Sequence, residues 1–326
     1  MKILTVTNMY PGKNKNNAMQ GIFVEEQVES IKKVGDFEVD VFVIEGFRSK
    51  FAYLFSLISV VRKISRDRYD LVHYHFGISA CSAPLVRVLT PAAVVITFHG
   101  SDVMRGGIMR GLSMLFSRFS NLSIVVNDEM KNVVASFSNN CCVIPCAVNE
   151  RLFSESGDGD RSRCGEKMVI FPSSPLREEK DYPLFKQTIA ILRDKYGLRV
   201  AEKHIDGLTR SEVKVLLDEA DCLLMTSKRE GSPQSVKEAM AMNLPVVSVD
   251  VGDVRNLLTG CEGSAIVSGR DPEILASEVA RILATGVRSK GREKLRQLQC
   301  FSGDVARRIC RMYDDLIPTR SRRINN

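Results

Sequence analysis

Two acidic residues, Glu230 and Glu238, flank a segment whose residue types suit a charged ligand that carries hydroxyl groups. A strand-like run at 222–227 leads into the segment, and Ser232 and Pro233 suit the cap and the first position of a helix. In open α/β sheets, ligands bind where buried strands end and such helices begin. The N–H groups at a helix start suit a phosphate, whereas carboxylates repel phosphate and are better matched to hydroxyl groups. The pattern favours a ligand with a central phosphate and hydroxyl groups at both ends, and a nucleotide sugar has this chemistry.

Two cations, Arg177 and Lys180, follow the predicted strand 168–171 and precede another predicted helix. Arginine supplies a planar fork of donors, and lysine supplies a compact charge. A pair at this spacing can therefore clamp a diphosphate. The alternative interpretation is a solvated, charged loop.

In the first half of the chain, His99 and Gly21 stand where predicted strands end or helices begin. His99 comes directly after the strongly apolar strand 94–98, at the kind of strand end where sites form. Gly21 closes the loop 8–20 and opens a helix, and a glycine there lets backbone N–H groups approach a phosphate closely. The alternatives are a hydrogen-bonded histidine and an ordinary helix-entry glycine. The loop does not have the dinucleotide fingerprint, so we infer no nicotinamide cofactor.

The motif around the two glutamates resembles the signature of a known enzyme family. Glu230 and Glu238 form an E-x7-E pair that is followed by Ala-Met at 239–240 and Leu-Pro-Val-Val at 244–247. This is similar to the retaining, nucleotide-sugar-dependent glycosyltransferases of the GT-B type, in glycosyltransferase group 1 or family 4. The resemblance covers most of the chain and is most specific at 221–253. It implies an α/β GT-B fold, with two Rossmann-like, doubly wound parallel-sheet domains that face a central cleft.

The resemblance also implies roles for residues of the second half. Glu230 would contact hydroxyl groups of the donor sugar, and Glu238 would accept hydrogen bonds from the ribose hydroxyls. Lys180 and Arg177 would neutralise the leaving diphosphate, although many family members place the arginine a few residues earlier, after a glycine. The helix start and a loop near the nucleotide base complete the donor site, at Ser232, Pro233, Gln234 and Gly207.

In the first half, the resemblance implies that His99 contacts the donor sugar near the reacting carbon and that Gly21 lies beside the diphosphate. His73 and His75 share one strand face, so a metal site is imaginable, but no third ligand is apparent nearby. The family often has His-x-His here as a structural or acceptor-side element. The Asp-Gly-Asp run at 158–160 lies in a predicted linker. We therefore expect no metal and no other cofactor, with cations and helix N–H groups stabilising the developing charge.

Alternating strand and helix patterns run along the chain and indicate parallel sheets covered by helices. Its 326 residues are enough for two domains. We expect an N-terminal, acceptor-side domain at 1–153, a linker at 154–163 and a nucleotide-sugar domain at 164–300. By resemblance, the last segment, 301–326, contributes a helix that packs back on the first domain and ends in a basic tail.

Composition bounds the class of protein. The hydrophobic fraction of 44% and the charged fraction of 26% are those of a soluble globular chain. Nine scattered cysteines, an odd number, indicate free thiols rather than a disulfide framework. The start of the chain resembles a strand rather than a signal peptide, and the longest apolar run, 51–61, is too short to span a membrane. We expect a cytoplasmic protein, or one that is peripheral at the inner face of the membrane.

One predicted helix has five apolar residues on a single face: Phe51, Leu54, Phe55, Ile58 and Val61. We expect this face to pack on the sheet. The alternative is a basic, apolar surface that touches a membrane or a lipid-linked acceptor. The segment 104–119 has a similar mixture of arginines and apolar residues.

The partners expected are a nucleotide sugar, linked to UDP or GDP, and a glycan or lipid-linked acceptor. Three other interpretations share the fold: a nucleotide-sugar epimerase, a sugar-phosphate synthase and a non-catalytic binding module. Nucleic acid is not an expected partner, because the net charge of +7 is mild and no recognised motif accompanies it. The base, the sugar and the acceptor stay open.

Overall fold

The computed structural model describes residues 1–14, 19–138, 140–154 and 165–317. The chain divides into two compact units. Unit 1 comprises Met1–Ala147 and the chain from Ser302 onward, and unit 2 comprises Val148–Phe301. The predicted linker after Ser154, with its Asp-Gly-Asp run, lies outside the described residues, as does the basic tail at 319–326.

Unit 2 begins earlier in the chain than the boundary at 153 that the sequence suggests. Phe153 is fully buried in the core of unit 2. The guanidinium group of Arg292 donates hydrogen bonds to the carbonyl oxygens of Phe153, at 2.6 Å, and Glu150, at 3.0 Å. The composition of the sequence reveals only the polar stretch after Ser154. It does not reveal that Phe153, just before this stretch, belongs to the core of unit 2.

Strands and helices alternate through both units in the following order: β1 (Lys2–Thr7), α1 (Ile22–Val34), β2 (Glu38–Val43), α2 (Phe51–Asp67), β3 (Leu71–His75), α3 (Ala83–Leu89), β4 (Ala93–Thr97), α4 (Ser101–Met104), α5 (Ile108–Ser117), β5 (Leu122–Val125), α6 (Asp128–Val134), β6 (Cys141–Val143), β7 (Lys167–Phe171), α7 (Tyr182–Asp194), β8 (Val200–His204), α8 (Arg210–Glu219), β9 (Cys222–Met225), α9 (Gln234–Ala241), β10 (Val246–Val249), α10 (Val254–Leu258), β11 (Ala265–Val267), α11 (Pro272–Thr285), α12 (Gly291–Gln297) and α13 (Ser302–Leu316). Short 3₁₀ helices occupy Gly77–Ser82 and Glu178–Lys180.

Each unit is built on one parallel sheet. The strand order is β2-β1-β3-β4-β5-β6 in unit 1 and β8-β7-β9-β10-β11 in unit 2. The direction of winding reverses between β1 and β3 in the first sheet and between β7 and β9 in the second. At such a switch point the loops after the two strands lead away from each other, which is where open α/β sheets bind ligands.

Helices cover both faces of each sheet, which explains the apolar strands. In β4, Val94 and Ile96 belong to one buried cluster, and Val95 belongs to another. Because successive residues of a strand point to opposite faces, both faces must be apolar when both are covered. The predicted α/β class, with two Rossmann-like, doubly wound parallel sheets, is confirmed.

Helix α13 completes the core of unit 1, although it is the last helix in the described part of the chain. Val305, Ile309 and Tyr313 share a buried cluster with Val28 and Ile31 of α1 and with residues of the strands. The first and last helices therefore cover the same face of the sheet.

The apolar face of α2 is exposed, so the prediction that it packs on the sheet was wrong. Four of its residues are more than half exposed: Phe51, Leu54, Phe55 and Ile58. The buried side of α2 runs along Ser56, Val60 and Ile64. The hydrophobic pattern alone did not show which of the two faces of α2 packs in the unit. The packed face includes a small polar residue, Ser56, which allows a close approach: its Oγ lies 3.3 Å from Cys81 Sγ. Across the described ranges, no helix combines the length and apolar character needed to cross a membrane.

Candidate active site

Lys180 and Glu230 meet at the switch point of the unit 2 sheet. Lys180 ends the 3₁₀ helix that follows β7, and Glu230 lies in the loop that follows β9. Lys180 Nζ and Glu230 Oε1 are 2.5 Å apart, and each side chain is only 10% exposed. The structure thus brings together two predicted site residues that lie 50 positions apart in the sequence. A lysine beside a carboxylate offers donors for a phosphate and acceptors for hydroxyl groups.

The two loops that carry Lys180 and Glu230 are tied to each other. The Thr226 hydroxyl donates to the carbonyl oxygens of Lys180, at 3.1 Å, and Asp181, at 3.0 Å. Arg270 donates to the carbonyl oxygens of Thr226, at 2.6 Å, and Ser227, at 3.0 Å, and it forms an ion pair with Asp181. Arg270 could not be predicted from the sequence, since a single arginine after β11 matches no motif.

Helix α9 begins at Gln234, with Pro233 as its N-cap and no side-chain cap. The prediction that Ser232 caps this helix and that Pro233 occupies its first position was therefore wrong. The Ser232 hydroxyl instead donates to Asp253 Oδ2 at 2.5 Å and accepts from Lys237 Nζ at 2.7 Å. Lys237 is fully buried, and a buried ammonium group requires polar partners, which explains the role of Ser232.

The loop after β10 also contacts the segment that precedes α9. Gly252 has a φ of +59°, and a Cβ atom there would lie 2.7 Å from the carbonyl oxygen of Gly231, so this close backbone approach requires glycine. The next residue, Asp253, donates its N–H to that oxygen at 3.2 Å. Burial raises the pKa of Asp253, while the charge of Lys237 and the hydrogen bond from Ser232 oppose this effect.

Glu238 is buried within α9 and pairs with Arg210 at the start of α8. Glu238 Oε1 and Arg210 Nη1 are 2.6 Å apart, with side-chain exposures of 5% and 16%. Arg210 also stacks over the ring of Phe153 at 4.7 Å. Gly207 is exposed, has a φ of +69°, and precedes α8 in a loop where a Cβ atom would meet no neighbour within 4 Å. Arg210 had not been predicted, because its pairing with Glu238 is a long-range contact.

Arg177 does not join Lys180 in this structure. Its side chain is 54% exposed, and its Nη2 lies 2.8 Å from Glu179 Oε1. The guanidinium group is therefore held by a neighbour in the same loop. The sequence grouped the two cations because they are close in the chain, but the 3₁₀ helix directs only Lys180 toward Glu230.

His99 lies in unit 1 at the carboxyl end of β4, within a cluster of rings. Its ring stacks on His75 with centroids 5.3 Å apart, and Phe23 and Phe76 lie at 4.8 Å and 4.6 Å. His99 Nε2 is 3.0 Å from His75 Nδ1, and His99 Nδ1 is 3.6 Å from Cys146 Sγ. Both ring nitrogens have partners within unit 1, so contact with a sugar hydroxyl requires one partner to be exchanged.

Behind His99, His73 and His75 form a buried column. His73 Nδ1 lies 2.5 Å from the Tyr313 hydroxyl, and Nε2 lies 2.7 Å from Thr97 Oγ1. Burial lowers the pKa of His75 to about 3 and lowers that of His73 well below its ordinary value. Within the ranges that the structure describes, no group of three or more His, Cys, Asp or Glu side chains is arranged to hold a metal ion.

Asp102 positions the backbone of the His99 loop. Its carboxylate accepts the N–H groups of His99 at 3.1 Å, Gly100 at 3.0 Å and Gly77 at 2.9 Å. Burial raises the pKa of Asp102, and these backbone donors act in the opposite direction. The carboxylate therefore links the loop after β4 to the turn after β3.

Gly21 is the N-cap of α1 and has a left-handed backbone, with a φ of +85°. A Cβ atom at this position would lie 2.4 Å from the carbonyl carbon of Met9 and 2.7 Å from the nitrogen of Tyr10. Glycine is thus required both by the dihedral angle and by contact with the loop after β1. The same turn delivers Phe23 to the ring of His99.

Comparison with protein-family models identifies both halves of the chain. Residues 22–152 match the family described as Glycosyltransferase Family 4. Residues 177–285 match the family described as Glycosyl transferases group 1. The two matches fall in unit 1 and unit 2 respectively, apart from the first few residues of unit 2.

Comparisons with individual proteins agree with the family matches. The glycosyltransferase TuaC of Bacillus subtilis (strain 168), which is assigned to teichuronic acid biosynthesis, is 24% identical over 86% of this chain and 89% of its own length. Sucrose-phosphate synthase from Thermosynechococcus elongatus has a similar structure, with a TM-score of 0.78 at 15% identity over 97% of this chain and 99% of that one. HepE of Anabaena, solved in complex with UDP, gives a TM-score of 0.69 at 15% identity over 97% and 100%. The chain is therefore a GT-B glycosyltransferase, with a family 4 region in unit 1 and a group 1 region in unit 2.

Proposed function

We propose that the protein transfers a sugar from a nucleoside-diphosphate sugar to a hydroxyl group of a glycan acceptor, with retention of the anomeric configuration. The observation that carries this proposal is the buried Lys180–Glu230 pair at the switch point of unit 2. It joins a cation suited to a diphosphate and an acid suited to sugar hydroxyls at the place where this fold binds ligands.

The departing diphosphate sets the main electrostatic requirement of the reaction. As the bond between the anomeric carbon and the diphosphate oxygen breaks, negative charge develops on the diphosphate and the sugar gains oxocarbenium character. Lys180 and the backbone N–H groups at the start of α9, from Gln234 onward, stabilise this charge. The acceptor oxygen forms the new bond on the same face of the sugar, and its proton passes to the leaving phosphate oxygen. Arg177 can contribute only after it leaves Glu179.

The two glutamates hold the two ends of the donor. Glu230 accepts hydrogen bonds from hydroxyls of the sugar, and Glu238 accepts them from the ribose. Each carboxylate is oriented by a cation, Lys180 or Arg210. Gly207, in the exposed loop before α8, leaves room for the base because no side chain occupies this position.

In this proposal, unit 1 supplies His99 to the donor sugar and the turn at Gly21 to the diphosphate. The ring of His99 is held by His75, Phe23 and Phe76, so its position is set before any sugar arrives. The turn at Gly21 brings the backbone of the loop after β1 and the start of α1 together.

The relatives support a uridine donor and a cell-wall or surface glycan as acceptor. HepE of Anabaena has been solved with UDP and with UDP-glucose, and TuaC is assigned to teichuronic acid biosynthesis. We extend both features to this chain as part of the proposal, with GDP-linked sugars as the second donor class to be tested.

A donor panel followed by product analysis tests the proposal. The full chain is mixed with UDP-glucose, UDP-N-acetylglucosamine or GDP-mannose, and the donor that raises the thermal unfolding midpoint is incubated with oligosaccharide acceptors. Proton NMR of the product should show the anomeric configuration of the donor. An inverted product would contradict retention. A new nucleotide sugar formed from donor alone would identify an epimerase, and product formed only with a sugar phosphate would identify a synthase.

A further inference from the structure

Unit 1 exposes apolar side chains on three helices. Phe51 and Phe55 of α2 are 70% and 72% exposed. Val88 of α3 is 78% exposed, and Ile108 of α5 is 82% exposed. Scattered apolar residues are ordinary on a protein surface, but several large ones on adjacent helices indicate an interaction surface.

The 3₁₀ helix Gly77–Ser82 lies between α2 and α5 and joins the helices into one side of the unit. Cys81 Sγ lies 3.3 Å from Ser56 Oγ in α2. At Gly77 a Cβ atom would lie 2.4 Å from the Cβ of Ser113, so α5 packs directly on this backbone. Helix α3 follows the 3₁₀ helix without a break. We name the exposed residues of this side the apolar surface: Phe51, Leu54, Phe55, Ile58, Val88 and Ile108.

The charge around the apolar surface is predominantly positive, and the acids that flank α2 in the chain, Glu45 and Asp67, are paired with cations. Lys50, Arg62, Arg87 and Arg105 are exposed on or beside the three helices. Residues 46–66 include no acidic residue, and from 71 to 127 the sequence has one, Asp102, which is buried. This charge suits an anionic partner. It also opposes self-association through the apolar surface, since a second copy would present the same cations.

We propose that the apolar surface inserts into the interface of a bilayer rich in anionic phospholipid, while the surrounding lysine and arginine side chains contact lipid phosphates. Helix α2 has the features of an interfacial helix, because its large apolar residues share one exposed face and cations flank them. Cations near an anionic leaflet add electrostatic attraction to the burial of apolar side chains. This inference concerns unit 1 and does not depend on the donor chemistry proposed for unit 2.

Tryptophan fluorescence tests the insertion directly. The chain contains no tryptophan, so one substitution introduces the only indole. Phe55→Trp places it on the apolar surface, and the control Leu176→Trp places it in unit 2, where Leu176 is 93% exposed. Both full-length proteins are titrated with phosphatidylglycerol or phosphatidylcholine vesicles that contain lipids with brominated acyl chains. The emission of Phe55→Trp should shift to shorter wavelength and lose intensity with the anionic vesicles, while that of Leu176→Trp should not change.

Flotation supplies the second arm of the test. The double variant Phe51→Ser/Phe55→Ser should lose flotation with phosphatidylglycerol vesicles, while Leu176→Ser floats like the parent chain and both keep the parent unfolding midpoint. An unchanged Phe55→Trp spectrum on anionic vesicles would overturn the proposal, as would an equal response to neutral vesicles. A dimer that the double variant converts to a monomer would also overturn it, because a second copy would then cover the surface.

Discussion

The acids of the candidate site are each held by a cation that is nearly as buried as they are. Glu230 pairs with Lys180, and Glu238 pairs with Arg210. Charges removed from water are costly unless they are paired, so removing one partner leaves the other uncompensated. A loss of activity after such a substitution must therefore be separated from a loss of stability.

The Glu238–Arg210 pair permits this separation. Glu238→Ala should weaken the binding of UDP and also lower the free energy of unfolding by about 3 kcal/mol, because Arg210 stays buried without its partner. The double variant Glu238→Ala/Arg210→Met should recover most of the stability but not the binding. Urea unfolding and isothermal titration with UDP measure the two quantities. Recovery of UDP affinity in the double variant would show that Glu238 acts on structure rather than on the ligand.

The buried histidines make stability depend on pH. In the unfolded chain a histidine has a pKa of about 6.5, whereas in the folded chain the pKa is about 3 for His75 and well below normal for His73. As pH falls from about 6.5 toward 3, the unfolded chain takes up protons that the folded chain does not, so stability is lost in this window and is unaffected above it. Each histidine contributes a slope of roughly 1.4 kcal/mol per pH unit.

Urea unfolding between pH 7.5 and 4.5 measures this slope. His75→Asn should give a shallower decline than the parent chain, and the exposed His204→Asn should not change it. Asp102 and Asp253, whose pKa values are raised by burial, act in the opposite direction, but they are unchanged in both variants. Equal slopes for the His75 and His204 variants would refute the assignment.

At the scale of secondary structure, the site depends on glycines that let loops approach one another. Gly21 brings the start of α1 against the backbone of Met9, and Gly252 brings the loop after β10 against Gly231. Both have positive φ angles, so a side chain at either position meets strain as well as a clash.

Gly21→Ala should cost more stability than strain alone explains. Gly12 has a similar φ of +72°, but a Cβ atom there meets nothing within 4 Å, so Gly12→Ala isolates the cost of the dihedral angle, on the order of 1 kcal/mol. Gly21→Ala adds the contact of 2.4 Å with Met9, so its loss of unfolding free energy should be clearly larger. Comparable losses in urea unfolding would mean that the loop after β1 moves freely out of the way.

The elements show which inferences a sequence supports. Short apolar runs locate the strands well, because a parallel strand buried on both faces is apolar throughout, as in Val246–Val249. The exposed stripe of α2 shows the limit, since apolar residues mark both the surface that packs in the unit and the surface that does not. In the site, motifs pointed to Glu230, Glu238 and Lys180, but Arg210 and Arg270 become visible only when distant segments are folded together.

At the scale of the whole molecule, unit 1 is built from two segments that lie on either side of unit 2 in the chain. Helix α13 supplies Val305, Ile309 and Tyr313 to a core whose strands lie within the first 147 residues. The hydroxyl of Tyr313 is the partner of His73 Nδ1, so the last helix also completes the column of polar groups behind His99. The core of unit 1 is therefore complete only when the chain on both sides of unit 2 is present.

Tyr313→Phe should measure this link. The substitution removes one oxygen and leaves a buried ring nitrogen of His73 without its partner, which typically costs about 1–3 kcal/mol. Urea-induced unfolding should show this loss of stability. The control Tyr196→Phe, at a partly exposed tyrosine of unit 2, should show none. A loss no larger than that of the control would mean that packing alone holds α13 in place.

Selectivity between diphosphate and monophosphate tests most directly whether Lys180 binds the diphosphate of the donor. The affinities of UDP and UMP, or of GDP and GMP, are measured by calorimetry for the parent chain, for Lys180→Ala and for the control Lys186→Ala. Lys186 lies on α7 and is paired with Glu202 on β8. Lys180→Ala should lose about tenfold or more in affinity for the diphosphate, since a charge-assisted contact contributes roughly 1.5–3 kcal/mol, with little change for the monophosphate. Lys186→Ala should bind both like the parent. A Lys180→Ala chain that keeps the parent preference for the diphosphate would contradict the account.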